Sequence, residues 1–439
     1  MLVTLLTANN VLKLGINGDG ALHFYVEVSH ALGNPVVVTG KHQIQINPLF
    51  IKDAERHSAL GKLCTAYASK DLWKLYSAIG EIGTKRHFFL IPSATDLGEQ
   101  QKLDLQFELI SMDGNQTVEE LKKSFDDYSK CILQHHEIVA SHNASCSLTK
   151  IGHKEYSQRV CRFCGRTESD GVTFRKKAHA ISELIGNKSL ILCDECDDCN
   201  GGIVNKMENS VATYFKALRP LLGIHGKSGI PSYKKNELEI GQTSPGHVNV
   251  MVGQQNLKVT HLEDGGLKMN VKVDCGKYVP QHIYRLICKY ALSVLPDHEF
   301  DMSTFEDLRN WILTGTQRGC PLPLVAASVD GRQNPQFPQI SVYKRRDQGC
   351  LKFPLYLVDF YAVANRFMFE LPFMEQDHKL TRQESWKDLF ATIPSFGRFE
   401  DWSYDDFGSA GEITLENNIM FEAKSRKQDV DHTVHSREF

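Results

Sequence analysis

The chain contains no apolar run approaching the ~20 residues that a bilayer requires. Its opening also lacks a secretion signal, because Asn9, Asn10 and Lys13 interrupt the first apolar residues. It has little excess charge: 50 Lys and Arg against 53 Asp and Glu give a formal net charge of −3 over 439 residues. A broadly basic nucleic-acid coat is therefore excluded, and any nucleic-acid groove must be local. There is no phosphate-cradling glycine loop, since the run Gly15-Ile-Asn-Gly-Asp-Gly20 reads as a turn. The 12 cysteines do not form a disulfide framework either, because four or five crowd into one stretch and the rest scatter. These absences lead to the expectation of a cytoplasmic protein of two to three domains with no membrane partner.

The crowded stretch runs from Cys161 to Glu208. It holds Cys-Arg-Phe-Cys-Gly (161–165), Thr-Phe-Arg-Lys-Lys-Ala-His-Ala-Ile-Ser-Glu (173–183), Gly186-Asn187, and Glu-Cys-Asp-Asp-Cys-Asn (195–200). One CxxC brings two thiolates close enough to share a tetrahedral ion, and two such pairs complete a four-sulfur zinc site. Cys193-x-x-Cys196 offers a competing register. Residues 172–178 alternate as a strand does, with Val172 and Phe174 apolar and Arg175, Lys176 and Lys177 basic. Gly186-Asn187 marks a turn, Leu190-Ile191-Leu192 a returning strand, and Ile203, Met207 and Val211 recur at helical spacing. The expected unit is strand, loop, strand, helix, stapled by zinc in place of a large core.

This run resembles the zinc-stapled branch of the HNH endonucleases, with their ββα-metal fold. The resemblance implies zinc on Cys161, Cys164, Cys196 and Cys199, because asparagine follows the second cysteine of the last pair, and it leaves Cys193 a buried thiol. It implies that His179 is the general base that deprotonates a water, a task suited to neutral imidazole near pH 7. Asn187 matches the loop-tethering asparagine that helps orient the histidine. Asn200 matches the final position, which binds a catalytic divalent ion, Mg²⁺ or Mn²⁺. Where many members carry a metal-binding aspartate just before the histidine, this chain has Ala178. Glu208, about two turns beyond Asn200, is the first candidate for the carboxylate, ahead of Glu183 and Glu195. The implied activity is metal-dependent hydrolysis of DNA phosphodiesters, in bacterial defence against foreign DNA.

Plainer readings stand beside each role. The zinc unit could bind nucleic acid or a partner without catalysis, with His179 an ordinary strand residue. It could also be a nuclease that stays inactive until a ligand or partner protein arrives. Asn200 is equally a helix N-cap residue by type. Arg175, Lys176 and Lys177 are either phosphate contacts or a solvated face. Lys227, Lys234 and Lys235, in the loop of residues 223–235, either join the same groove or sit on a surface connection.

The rest of the chain reads as a multidomain α+β protein. Residues 1–115 form an α+β domain of unmarked role, with strands Leu22–Val28, Val36–Val38, His87–Ile91 and Leu103–Leu109 and helical spacing from Ile51 to Ile82. Residues 116–158 hold a helix over 116–141, opened by a capping box at Thr117-Val-Glu-Glu120, and then a linker. The zinc module spans 159–226, an α+β C-terminal domain 227–423, and a charged tail 424–439. In the C-terminal domain, Asp264-Gly-Gly266 signals a hairpin and Val279–Leu295 a helix; a second helix is capped at Ser303-Thr-Phe-Glu306, and strands follow over 322–372.

Overall fold

The computed structural model describes the chain except residues 1, 9, 16–20, 41–42, 81, 94–96, 145–147, 245–246, 263–265, 317–321, 330–336, 347–352, 378–385, 388, 392–398 and 424–439. The turn near Gly20, the tip of the 264–266 hairpin and the charged tail fall wholly or partly outside the described residues. The architecture is α+β, with several separate sheets. No helix among the described residues is long and apolar enough to cross a membrane.

At the N-terminus, strands Leu2–Thr7, Asn10–Gly15, His87–Ser93 and Leu49–Ile51 form one antiparallel sheet, covered by helices. Two segments expected as strands are helices here. Ala21–Ala31 turns Tyr25, Val28 and Leu32 into the core at helical spacing, although its apolar residues also alternate. Glu99–Asp113 is likewise helical and buries Phe107 and Leu109. The expected long helix before Ile82 is two helices, Ala54–Tyr67 and Lys70–Gly80, broken where Ala68 adopts a left-handed φ of 47°. The capping box at Thr117 is present: its N–H donates to Glu120 Oε2 and its Oγ1 accepts from Glu120 N–H. The helix it opens, Val118–His135, stops before residue 141. Residues His136–Asn143 instead form a strand that pairs with Gln339–Arg345, at the edge of a six-stranded sheet built otherwise from the C-terminal region.

The cysteine-bearing stretch sits inside the largest core, which runs from Ala140 to Phe407 without interruption. Strands Ala178–His179 and Leu190–Leu192 pair antiparallel, with Ile191 opposite His179, and Thr149–Ile151 adds a third strand parallel to Leu190–Leu192. Helices Asp197–Gly201 and Ile203–Tyr214 follow, and Pro280–Val294 packs against the second. The expected strand over 172–178 shrinks to Ala178–His179. The Asp197 carboxylate accepts the Arg175 and Lys176 N–H groups at 3.2 and 2.8 Å, removing the donors a strand ladder would use. The helix expected to open at Ser303 starts at Glu306, and Asp301 rather than Ser303 accepts the Thr304 N–H. Residues Tyr233–Lys235, expected in a loop, form a strand.

Candidate functional site

Two tight turns bring the cysteines together. In the first, Gly165 takes a φ of +74° so that its N–H can reach the Cys161 carbonyl at 2.8 Å. In the second, the Asn200 N–H bonds the Cys196 carbonyl at 2.9 Å as the chain enters the helix. The sulfurs of Cys161, Cys164, Cys196 and Cys199 all lie within 4.8 Å of one another. Cys164 and Cys196 are 3.7 Å apart, against an edge of about 3.8 Å for a tetrahedron with metal–sulfur bonds of about 2.3 Å. Thiols this close compete for protons. Cys196 is pulled down to about 7 chiefly by its hydrogen bond with Cys161, while the bond to Cys161 pushes Cys164 up to about 12. The geometry fits a metal ion such as zinc. Cys193 is buried outside the cluster.

Arginines that sequence patterning did not single out clasp the first turn. Arg309, on helix Glu306–Thr314, donates to the carbonyls of Arg162 and Phe163. Arg162 in turn donates to the carbonyls of Leu292 and Leu295 and to Asp297. A second close group of potential ligands, His153, Asp194 and Asp297, closes around Arg162, whose guanidinium already supplies the positive charge.

His179 is mostly covered, its side chain 15 % exposed. Its Nε2 lies 3.7 Å from Glu183 Oε2, and its Nδ1 is buried with no hydrogen-bond partner. Burial pushes the ring below the ordinary histidine range; Glu183 opposes this, and Lys177, Lys188 and Lys289 add to it. Asn187 is fully buried and saturated. Its Nδ2 donates to the carbonyls of Ile181 and Leu190 at 2.6 and 2.9 Å, and its Oδ1 accepts from the N–H groups of Ser189 and Leu190 at 3.1 and 2.8 Å. The Leu190 carbonyl also accepts the Ala180 N–H, so the asparagine ties the loop to the residue after His179.

Asn200 is the fourth residue of helix Asp197–Gly201; the N-cap position belongs to Cys196. Its side chain makes no hydrogen bond among the described residues and is free to bind. Glu208 accepts a hydrogen bond from Ser182 Oγ. Glu195 is fully buried and bound to Lys289 Nζ at 2.8 Å. Among the described residues, His179 and these carboxylates do not form a preassembled three-ligand cluster.

The basic residues divide into two groups. Arg175, Lys176 and Lys177 are exposed on the approach to His179, and the Lys176 ammonium lies 3.3 Å from where a side chain on Gly201 would begin. Lys188 Nζ bonds both Glu183 Oε1, at 2.8 Å, and the Gly226 carbonyl, at 2.6 Å. That bond draws the tight turn bearing exposed Lys227 against the histidine loop. Lys234 and Lys235 lie instead on the neighbouring sheet, paired with Glu239 at 3.0 Å and Asp274 at 2.8 Å. Glu183, Lys188, Lys289 and Arg309 were the functional neighbours hardest to see in the sequence. Lys289 left a trace, as a lone cation among buried apolar positions that demands a partner.

No known protein family, curated protein or solved structure matches the chain.

Proposed function

We propose that the central module is a zinc-stapled, metal-dependent endonuclease of HNH type that hydrolyses DNA phosphodiester bonds. The observation that carries this reading is the site's layout. His179 stands on a short antiparallel strand pair, Asn187 locks the connecting loop, and the next helix starts at the four-cysteine cluster. In this reading zinc on the four cysteines is structural, because four thiolates leave no open position. His179, held below its ordinary range, is neutral at pH 7 and accepts the proton of the attacking water. Asn187 fixes the strand from which it acts. Asn200 and Glu208 would hold Mg²⁺ or Mn²⁺, with water completing the shell as Mg²⁺ readily allows. A divalent ion bound there supplies charge neutralisation on the phosphate and leaving oxygen.

Arg175, Lys176, Lys177 and Lys227 would draw the phosphate backbone toward His179. Lys234 and Lys235 would join only by exchanging their carboxylate partners for phosphate. The sequence resemblance points to bacterial defence against foreign DNA as the setting.

The test is plasmid cleavage with Mg²⁺ or Mn²⁺ by the parent chain and by a folded, zinc-replete His179→Ala variant. The expected loss is about 100-fold or more. Equal cleavage by both would remove His179 as the base. The coverage of His179 favours a second reading, a nuclease switched on by a ligand or partner protein. The parent alone would then be silent and would cleave once the activator is added. DNA binding with no cleavage under any condition would make the module a zinc-dependent DNA-binding protein.

A further inference from the structure

We propose that Glu183 is a positioning residue that holds His179 as the Nε2–H tautomer, leaving the Nδ1 lone pair as the proton acceptor. The catalytic consequence rests on the nuclease reading above; the tautomer does not. Glu183 lies four residues after His179, and a short 3₁₀ turn over Glu183–Ile185 brings it back toward the ring. Ser182 Oγ opens that turn by accepting the Leu184 N–H at 3.2 Å, and Gly186 closes it with a φ of 102°. One carboxylate oxygen, Oε2, then sits 3.7 Å from Nε2. The other, Oε1, accepts from Lys188 Nζ at 2.8 Å, and Lys188 is anchored on the Gly226 carbonyl at 2.6 Å. The carboxylate is thus fixed from the side away from the ring.

A neutral imidazole carries one ring proton. On Nε2 it points toward a carboxylate. On Nδ1 it would be a buried donor with no acceptor, an arrangement folded proteins avoid. The protein therefore favours the proton on Nε2. Nδ1, which no protein group engages, keeps the lone pair. When Nδ1 takes a proton from water, the ring becomes an imidazolium whose Nε2–H faces the negative charge of Glu183. Lys177 beside the strand, Lys188 on the loop and Lys289 on helix Pro280–Val294 all act against that cation. Glu183 is the carboxylate that offsets them.

The direct test is long-range ¹H–¹⁵N correlation on the full-length chain with ¹⁵N-labelled histidine, with His179 assigned by the signals missing from His179→Gln. The expected pattern is a protonated Nε2 and an unprotonated Nδ1 in the parent, shifting to a tautomer mixture in Glu183→Ala. A protonated Nδ1 in the parent, or no change in the variant, overturns the proposal. In a parent that cleaves through His179, Glu183→Ala should lower kcat by about tenfold or more, with half-saturating Mg²⁺ unchanged and partial recovery in Glu183→Asp. A raised Mg²⁺ requirement would make Glu183 an ion ligand and overturn the positioning role. Cleavage indifferent to His179→Ala would instead strike the nuclease reading, while the tautomer measurement would still judge Glu183.

Discussion

Asn187 commits every hydrogen-bonding group of its side chain to backbone within the loop it belongs to. Replacing it with alanine strips partners from two carbonyls and two N–H groups in a buried setting. At about 1–3 kcal/mol for a buried group left unpaired, partly relieved by entering water, Asn187→Ala should cost about 3 kcal/mol or more. Urea unfolding of the metal-loaded protein measures this, and a loss under about 1 kcal/mol would mean the loop is held by something else. His179 carries a second expectation. Because burial lowers its proton affinity, the deprotonated base persists below pH 6.5. The acid limb of a cleavage profile, where the rate falls as pH drops, should have its midpoint below about 6.5; a midpoint at 7 or above contradicts that environment. At this scale the sequence was informative about the cysteines, whose spacing dictates proximity, and about Asn187, whose type suits a loop clamp. It was silent about Glu183 and Lys188, because a glutamate and a lysine on a polar turn look the same whether they face solvent or a histidine.

Helix Pro280–Val294 was legible from its apolar spacing, and its partner was not. Periodicity says which face is buried but not what lies against it. Here the buried face includes Lys289, whose ammonium meets Glu195 with side chains 3 % and 0 % exposed. Strand and helix were confused where apolar residues satisfied both periods, as in Ala21–Ala31, and where a side chain took over backbone donors, as Asp197 does over 175–176. The Lys289–Glu195 pair yields a test of how the helix is joined to the cysteine module. Removing one partner leaves a buried charge, so Lys289→Met alone should destabilise by about 3–5 kcal/mol. Adding Glu195→Leu should recover most of that loss, since two apolar groups pack without a desolvation penalty. A double-mutant cycle in urea reads the coupling, and simple additivity of the two losses would show that the charges do not meet.

The whole molecule divides at the junction of helix Val118–His135 and strand His136–Asn143, a boundary that composition does not mark. The N-terminal cores draw on residues no later than Leu109, and the long helix rests on the preceding one, with Phe125 edge-on to Phe107 at 5.7 Å. Past His135 the chain belongs to the other core: His136 is opposite Arg345 and Asn143 opposite Gln339 in the six-stranded sheet. Residues 142–158, which read as a linker from their Ser, Asn and Lys, contain the end of this strand and the Thr149–Ile151 strand. The cysteine cluster therefore depends on the C-terminal region but draws no core residue from the N-terminal one. A chain beginning at residue 136 should keep about one zinc per molecule by elemental analysis and unfold cooperatively. A chain beginning at residue 150 loses the edge strand and half of the small parallel pair. At about 1 kcal/mol per net backbone hydrogen bond, it should be weaker by about 3 kcal/mol or more, and its Tm lower by about 6 °C or more. Failure of the longer fragment to retain metal would mean that the N-terminal unit supports the metal centre after all, and equal stability of the two fragments would make the edge strand dispensable.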